Sequence, residues 1–112
     1  MTVYHPGLTN GRWQQMSLLE QMANVGSEVE RAFQARGKNN PDRAMKAFER
    51  ALELFDLTLE SPANKLRLKE ITRTREIFVD AFFGENQFGL SEQSLRKYFL
   101  EFACAVRKNV KG

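Results

Sequence analysis

Residues 40–62 read NPDRAMKAFERALELFDLTLESP. Asn is a strong helix N-cap, and Pro at the first helical position gives up an amide that would be unbonded anyway. Met45, Phe48, Leu52, Phe55 and Leu59 then step by three and four residues, the spacing of one helical face. Ala44, Ala47, Ala51 and Leu54 broaden that stripe, while Lys46, Glu49, Arg50, Glu53, Asp56 and Glu60 supply a wet face. Ser61-Pro62 repeats the cap-plus-Pro device, so one helix ends and the next begins at once. A junction this tight favours an antiparallel helical hairpin.

The same logic extends in both directions. On the N-terminal side, Met16, Leu19, Ala23, Gly26 and Phe33 form an apolar face flanked by Leu18, Met22, Val25 and Val29. Asn24, Ser27, Glu28, Arg31 and Gln34 are expected on the opposite side. Asn10 and Ser17 both qualify as the cap. The earlier start is preferred because it places Trp13 and Met16 on the helix, although Ser17-Leu18-Leu19-Glu20 reads as a capping box. Gly37 suits the left-handed residue that closes this helix. Gly26 costs roughly 1 kcal/mol in a helix interior. With Ala23 it forms either a notch for a neighbouring backbone or a tolerated defect.

On the C-terminal side a third helix is expected over 62–83, with a seam of Leu68, Ile71, Phe78 and Phe82. Residues 84–90 (GENQFGL) are rich in turn formers. Ser91 caps a fourth helix over 92–108, with Leu90 and Leu95 placed for a hydrophobic staple. The expectation is an all-α, up-and-down four-helix bundle over 11–112, preceded by an irregular arm over 1–10.

Composition agrees with one soluble helical domain. The chain has 112 residues, 42% apolar and 28% charged, in the ordinary globular range. One cysteine allows no internal disulfide and no Cys-based zinc site. Residues 1–11 carry neither the charged nor the apolar segment of a signal peptide, and no stretch is apolar enough for a membrane span. A cytoplasmic protein with no membrane association is expected.

The segment Pro41–Pro62 resembles the second helix of a tetratricopeptide repeat. The likeness covers one helix, and no second copy lies 34 residues away, so an array is not expected. Arg107-Lys108-Asn109 resembles the Arg-Asn part of the signature of HEPN-type helical nucleases. That signature places a His four to six residues after the Arg, and none follows here.

Catalytic and metal-binding candidates are few. His5 is the only histidine and sits in the expected arm, so the Glu-x-x-His pairs of a di-iron bundle are absent. Cys104 reads as a small hydrophobe within the fourth helix. Glu49 and Glu53 are a turn apart, and a solvated helix face is the simpler reading. No phosphate-binding loop, nucleophile elbow or zincin motif is present. No cofactor and no metal are expected.

Two features remain. Tyr98, Phe99, Phe102 and Val106 make the fourth helix apolar nearly all round, which points to a central helix or an interface. A homo-oligomer built through that helix is expected, with a protein partner as a further expectation. Second, Arg75 falls on the apolar seam of the third helix, between Ile71 and Phe78. It must pair, snorkel or hold an anion, and an internal ion pair is favoured. The other reading joins Arg73, Arg75, Lys69 and Arg96 into an anion or RNA-phosphate site, with Tyr98 and Phe88 as stacking aromatics. Net charge is +3, and the surplus lies in residues 92–112, with five basic and two acidic side chains. The primary expectation is a non-enzymatic, self-associating interaction module. An RNA- or anion-binding accessory protein is the alternative, and a HEPN-like nuclease lacking its His the third.

Overall fold

Four α-helices form the described molecule: α1 (Leu18–Gly37), α2 (Pro41–Glu60), α3 (Leu68–Phe83) and α4 (Glu92–Lys111). The computed structural model describes residues 11–84, 87 and 89–111. The expected arm, with His5 and Asn10, and Phe88 lie outside the described residues. No strand occurs among those described, and the chain is an all-α bundle.

The first helix starts at Ser17, not Asn10. Glu20 N–H donates to Ser17 Oγ at 3.1 Å, and Ser17 N–H donates to Glu20 Oε1 at 3.2 Å. This reciprocal box satisfies two groups that a longer helix would have used otherwise. Met16 is extended (φ −79°, ψ 150°), which separates α1 from a short 3-10 turn, Trp13–Gln15. Trp13 is nonetheless buried.

Gly37 is helical, and the left-handed residue is Asn39 (φ 56°). Asn40 N–H reaches back to Ala35 O at 2.9 Å, and Asn39 N–H to Arg36 O at 3.1 Å. This is a Schellman closure with Asn at C′, a position Asn tolerates because its short polar side chain is at ease with positive φ. Asn40 then caps α2, accepting from Arg43 N–H at 3.2 Å.

Ser61 does not repeat the device. Its hydroxyl makes no capping bond, and Pro62–Arg67 forms a 3-10 helix, with α-helix only from Leu68. Leu68, expected on the core seam, is therefore turned partly outward at 38% exposure. Ser91 behaves as expected, accepting from Ser94 N–H at 3.0 Å.

The core runs between α1, α2 and the inner faces of α3 and α4: Val25, Val29, Phe33, Ala51, Phe55, Ile71, Phe78, Leu95 and Phe99 are all buried. On α2 the buried stripe is rotated towards Ala44, Ala47, Ala51 and Leu54, leaving Met45 exposed. The cause is that α2 serves two neighbours, α1 and α3. Rings from α1, α2 and α3 pack edge-on or tilted, with Phe33 to Phe78 at 5.7 Å and 86°. Phe48 stacks on Phe82 at 4.8 Å. Such geometries suit the aromatic quadrupole.

A closed set of buried hydrogen bonds ties the N-terminal turn to the α2–α3 junction. Trp13 Nε1–H donates to Thr58 Oγ1 at 3.0 Å, and Thr58 donates to Leu54 O at 2.7 Å. Asn64 Nδ2 donates to Gln21 Oε1 at 2.7 Å and to Thr58 O at 3.0 Å. Gln21 Nε2 returns to Trp13 O at 2.9 Å. Among the described residues no buried side-chain polar atom lacks a partner.

Candidate functional site

Two of the four sides of the bundle close well. α1 packs along both α2 and α4, whereas α3 leans on α2 and leaves a cleft towards α4. The position of α4 is set by Gly26. A Cβ built there would lie 2.8 Å from Phe99 Cβ, closer than real contacts allow. Gly26 is thus the notch into which α4 is pressed, and Phe99 is a core residue rather than the surface residue expected.

Charge then fixes the register. Arg96 donates through Nε to Glu30 Oε1 at 2.8 Å and through Nη1 to Glu92 at 3.1 Å, with a further short bond to Glu30. The guanidinium holds the Glu30 carboxyl below its ordinary value, chiefly through these bonds and against the opposing effect of burial. Glu92 also receives Arg36 Nη2 at 2.7 Å. Arg36 donates to Phe82 O at 2.9 Å and lies 4.9 Å over the rings of both Phe33 and Phe82. One chain of charges therefore joins α1, the C-terminal carbonyls of α3 and the first turn of α4.

Two depressions flank α4. On the α1 side lies a groove of about 620 Å³, lined by Ala23, Ser27, Val29, Phe99, Leu100 and Ala103, with Gly26 also in its lining but filled on its Cβ side by Phe99. Glu30, Arg31, Arg96 and Lys97 form its rim. Leu100 is 59% exposed, and Cys104, one turn on, is exposed too. Cys104 was expected to pack as a small hydrophobe. The apolar circumference of α4 is wider than the core it serves, so Leu95 and Phe99 fill the core while residues 100 and 104 face outward.

On the other side, the cleft between α3 and α4 is about 420 Å³ and mostly apolar, with Ile77, Leu90, Leu95 and Tyr98 in its walls. A smaller extension of about 190 Å³ continues past Tyr98 to Met22, Ile71 and Phe102. Burial pushes the Tyr98 phenol up from its ordinary value, opposed by a hydrogen bond to Thr74. Tyr98 and Phe102 thus face the cleft, and Val106 is half-buried.

The expected anion site does not assemble as one. Arg75 is held by Asp56 of α2, Nε to Oδ1 at 3.0 Å, the internal ion pair that was favoured. Arg96 is committed to Glu30 and Glu92 on the opposite side of α4. Arg73 has interactions of its own. Lys69 is exposed, beside Glu70 and Glu76 on the same stretch of α3. Arg107 and Lys108 are exposed near the end of α4. Among the described residues no cluster of three His, Cys, Asp or Glu side chains is placed to hold a metal ion. No described helix is long and apolar enough to cross a membrane.

One cationic feature escaped the sequence reading. A groove of about 510 Å³ between the end of α1 and the first half of α2 is lined by Arg31, Lys38, Arg43, Lys46 and Arg50, with no acidic residue in its lining. Beneath it lies Glu28, expected on the wet face of α1 but buried. It accepts from Arg31 at 2.6 Å and from Arg50 at 2.9 Å. Its burial follows from α2 packing across that side of α1. The signal was present in residues 31–50, which hold six basic and two acidic side chains.

Comparison with protein-family models, with curated proteins and with solved structures gives no match.

Proposed function

We propose that this chain is a non-enzymatic interaction module that pairs with a second copy of itself through the outer face of α4. The observation behind this is a ridge beside a matching hole. Leu100 projects at 59% exposure next to a groove lined in part by the small residues Ala23, Ser27 and Ala103. A two-fold interface needs a self-complementary patch, in which one copy's ridge enters the other's groove and the reverse holds at the same time. Small lining residues let helices approach closely, and the rim carries both signs of charge in Glu30, Arg31 and Lys97. The interface expected from sequence is thereby re-centred: Phe99 belongs to the core, Tyr98 and Phe102 face the α3 cleft, and Leu100 and Ala103 become the contact.

Light scattering tests this. Between about 5 and 500 µM the wild-type mass should rise towards twice the monomer, and Leu100→Glu should remain monomeric with its helicity intact. A burial-scale contact at Leu100 is worth about 2 kcal/mol per side chain, so the variant should weaken pairing by well over tenfold. A wild-type chain that stays monomeric throughout ends the proposal.

A further inference from the structure

We infer that the groove between α1 and α2 binds the phosphate backbone of a single-stranded nucleic acid, at a site that shares only Arg31 and Gln34 with the groove beside α4. Five cationic side chains from two helices converge on it, and no acidic residue lines it. On α2, Arg43, Lys46 and Arg50 step by three and four residues, so they form a row with rises of about 4.5 and 6 Å along one helical face. Lys38 extends the row beyond the N-terminus of α2, where Asn40 sits in the lining.

The buried carboxylate gives the groove its rigidity. Glu28 accepts from both Arg31 and Arg50, so the two guanidiniums are tied to one carboxylate at its wall, with the Arg31 side chain still 63% exposed. Glu28 neutralises one of the two. Arg50, 30% exposed, keeps part of its guanidinium at the surface. Lys38, Arg43 and Lys46 are exposed and carry the remaining positive field.

What the lining contains and what it lacks select the occupant. Apart from the cations it consists of Gln34, Ala35, Asn40 and Ala47. No aromatic is present to stack on bases, so recognition is of the backbone and tolerant of sequence. No large apolar side chain is present to enter a lipid layer. An elongated row of cations in a groove matches a string of phosphates.

The test is fluorescence anisotropy with a labelled 20-nucleotide oligo(U) RNA across a salt series. Three to four neutralised phosphates give a log–log salt slope of about −2 to −3, since each contributes about −0.7 for a single strand. Affinity should therefore fall roughly 20- to 50-fold between about 50 and 200 mM salt. The triple variant Lys38→Glu, Arg43→Glu, Lys46→Glu should lose binding while keeping the wild-type Tm, because it leaves Arg31, Arg50 and Glu28 untouched. The control Lys65→Glu, Arg67→Glu, Lys69→Glu, on the α3 side, should bind within about threefold of wild type. Three results overturn the inference: no binding at about 50 mM salt, equal loss in both triple variants, or tighter binding of poly-Glu than of the RNA. Leu100→Glu should retain RNA binding, which separates this site from the pairing face.

Discussion

At the scale of single residues, Gly26 shows how a weak sequence signal becomes definite. Sequence alone left a notch and a tolerated defect equally open. The structure decides for the notch, because Phe99 Cβ occupies the space a methyl would need. Gly26→Ala therefore brings two opposed effects. Helix propensity favours Ala by about 1 kcal/mol, and overpacking a filled site costs about 1–3 kcal/mol. Phe99 Cβ is fixed to the α4 backbone and cannot swing away, so the cost dominates. A thermal melt should show Tm lowered by roughly 5 °C, taking about 4–8 °C per kcal/mol for a domain of this size. A raised Tm would mean α4 is free to move back. The hydrogen bonds joining Trp13, Thr58, Asn64 and Gln21 were not legible in the same way. Trp13 and Thr58 are 45 positions apart, and Gln21 and Asn64 are 43 apart. Polar residues buried only by tertiary placement leave no periodicity to read. Arg75 is the contrary case. Its place between Ile71 and Phe78 on a helical face announced that it needed a partner, and Asp56 supplies it at 3.0 Å.

At the scale of elements, helix boundaries followed local chemistry wherever a side chain could complete its own cap. Asn40-Pro41 and Ser91 start helices as read. Ser61-Pro62 does not, because Ser61 is buried and its hydroxyl makes no capping bond. The docking of α4 onto α1 is different in kind, since it depends on a charge clamp between segments 66 positions apart. Arg96 holds Glu30 in its ionised form, which lowers the carboxyl from its ordinary 4.5. The sign follows by linkage. A carboxyl whose folded value is depressed stabilises the fold above its unfolded value. That contribution is lost as pH falls from about 4.5 through the lower folded value. Glu30 is 39% exposed, so solvent screening keeps the contribution below about 1 kcal/mol. Urea denaturation of wild type and Glu30→Gln should differ by that amount at about pH 7 and converge as pH falls below the depressed folded value. It should also shrink in about 1 M salt, where the screening length is about 3 Å. A difference independent of both pH and salt would assign the effect of Glu30 to packing alone.

At the scale of the whole molecule, the question is which surfaces the bundle leaves over. Its radius of gyration is 13.8 Å, close to the roughly 13–14 Å of a compact chain of this length. Exposed apolar side chains are therefore not a sign of loose packing. The basic excess of residues 31–50 is visible in the sequence, but not its convergence into one groove, because that takes side chains from two helices. The apolar excess of α4 was legible, but not its direction: the helix turns Phe99 inward, Tyr98 towards α3 and Leu100 outward. Cys104 provides a probe for that last face. It is exposed and lies one turn from Leu100, on the same stripe of the helix. If two copies pair through Leu100, the thiol is covered as the dimer forms. Its second-order rate of alkylation by iodoacetamide should then fall at least threefold between about 5 and 500 µM protein. In Leu100→Glu the rate should be the same at both concentrations. If the copies instead met through the cleft beside Tyr98, mass would double while the Cys104 rate stayed constant. Alkylation and light scattering read together therefore distinguish which side of α4 carries the interface, as well as whether one forms.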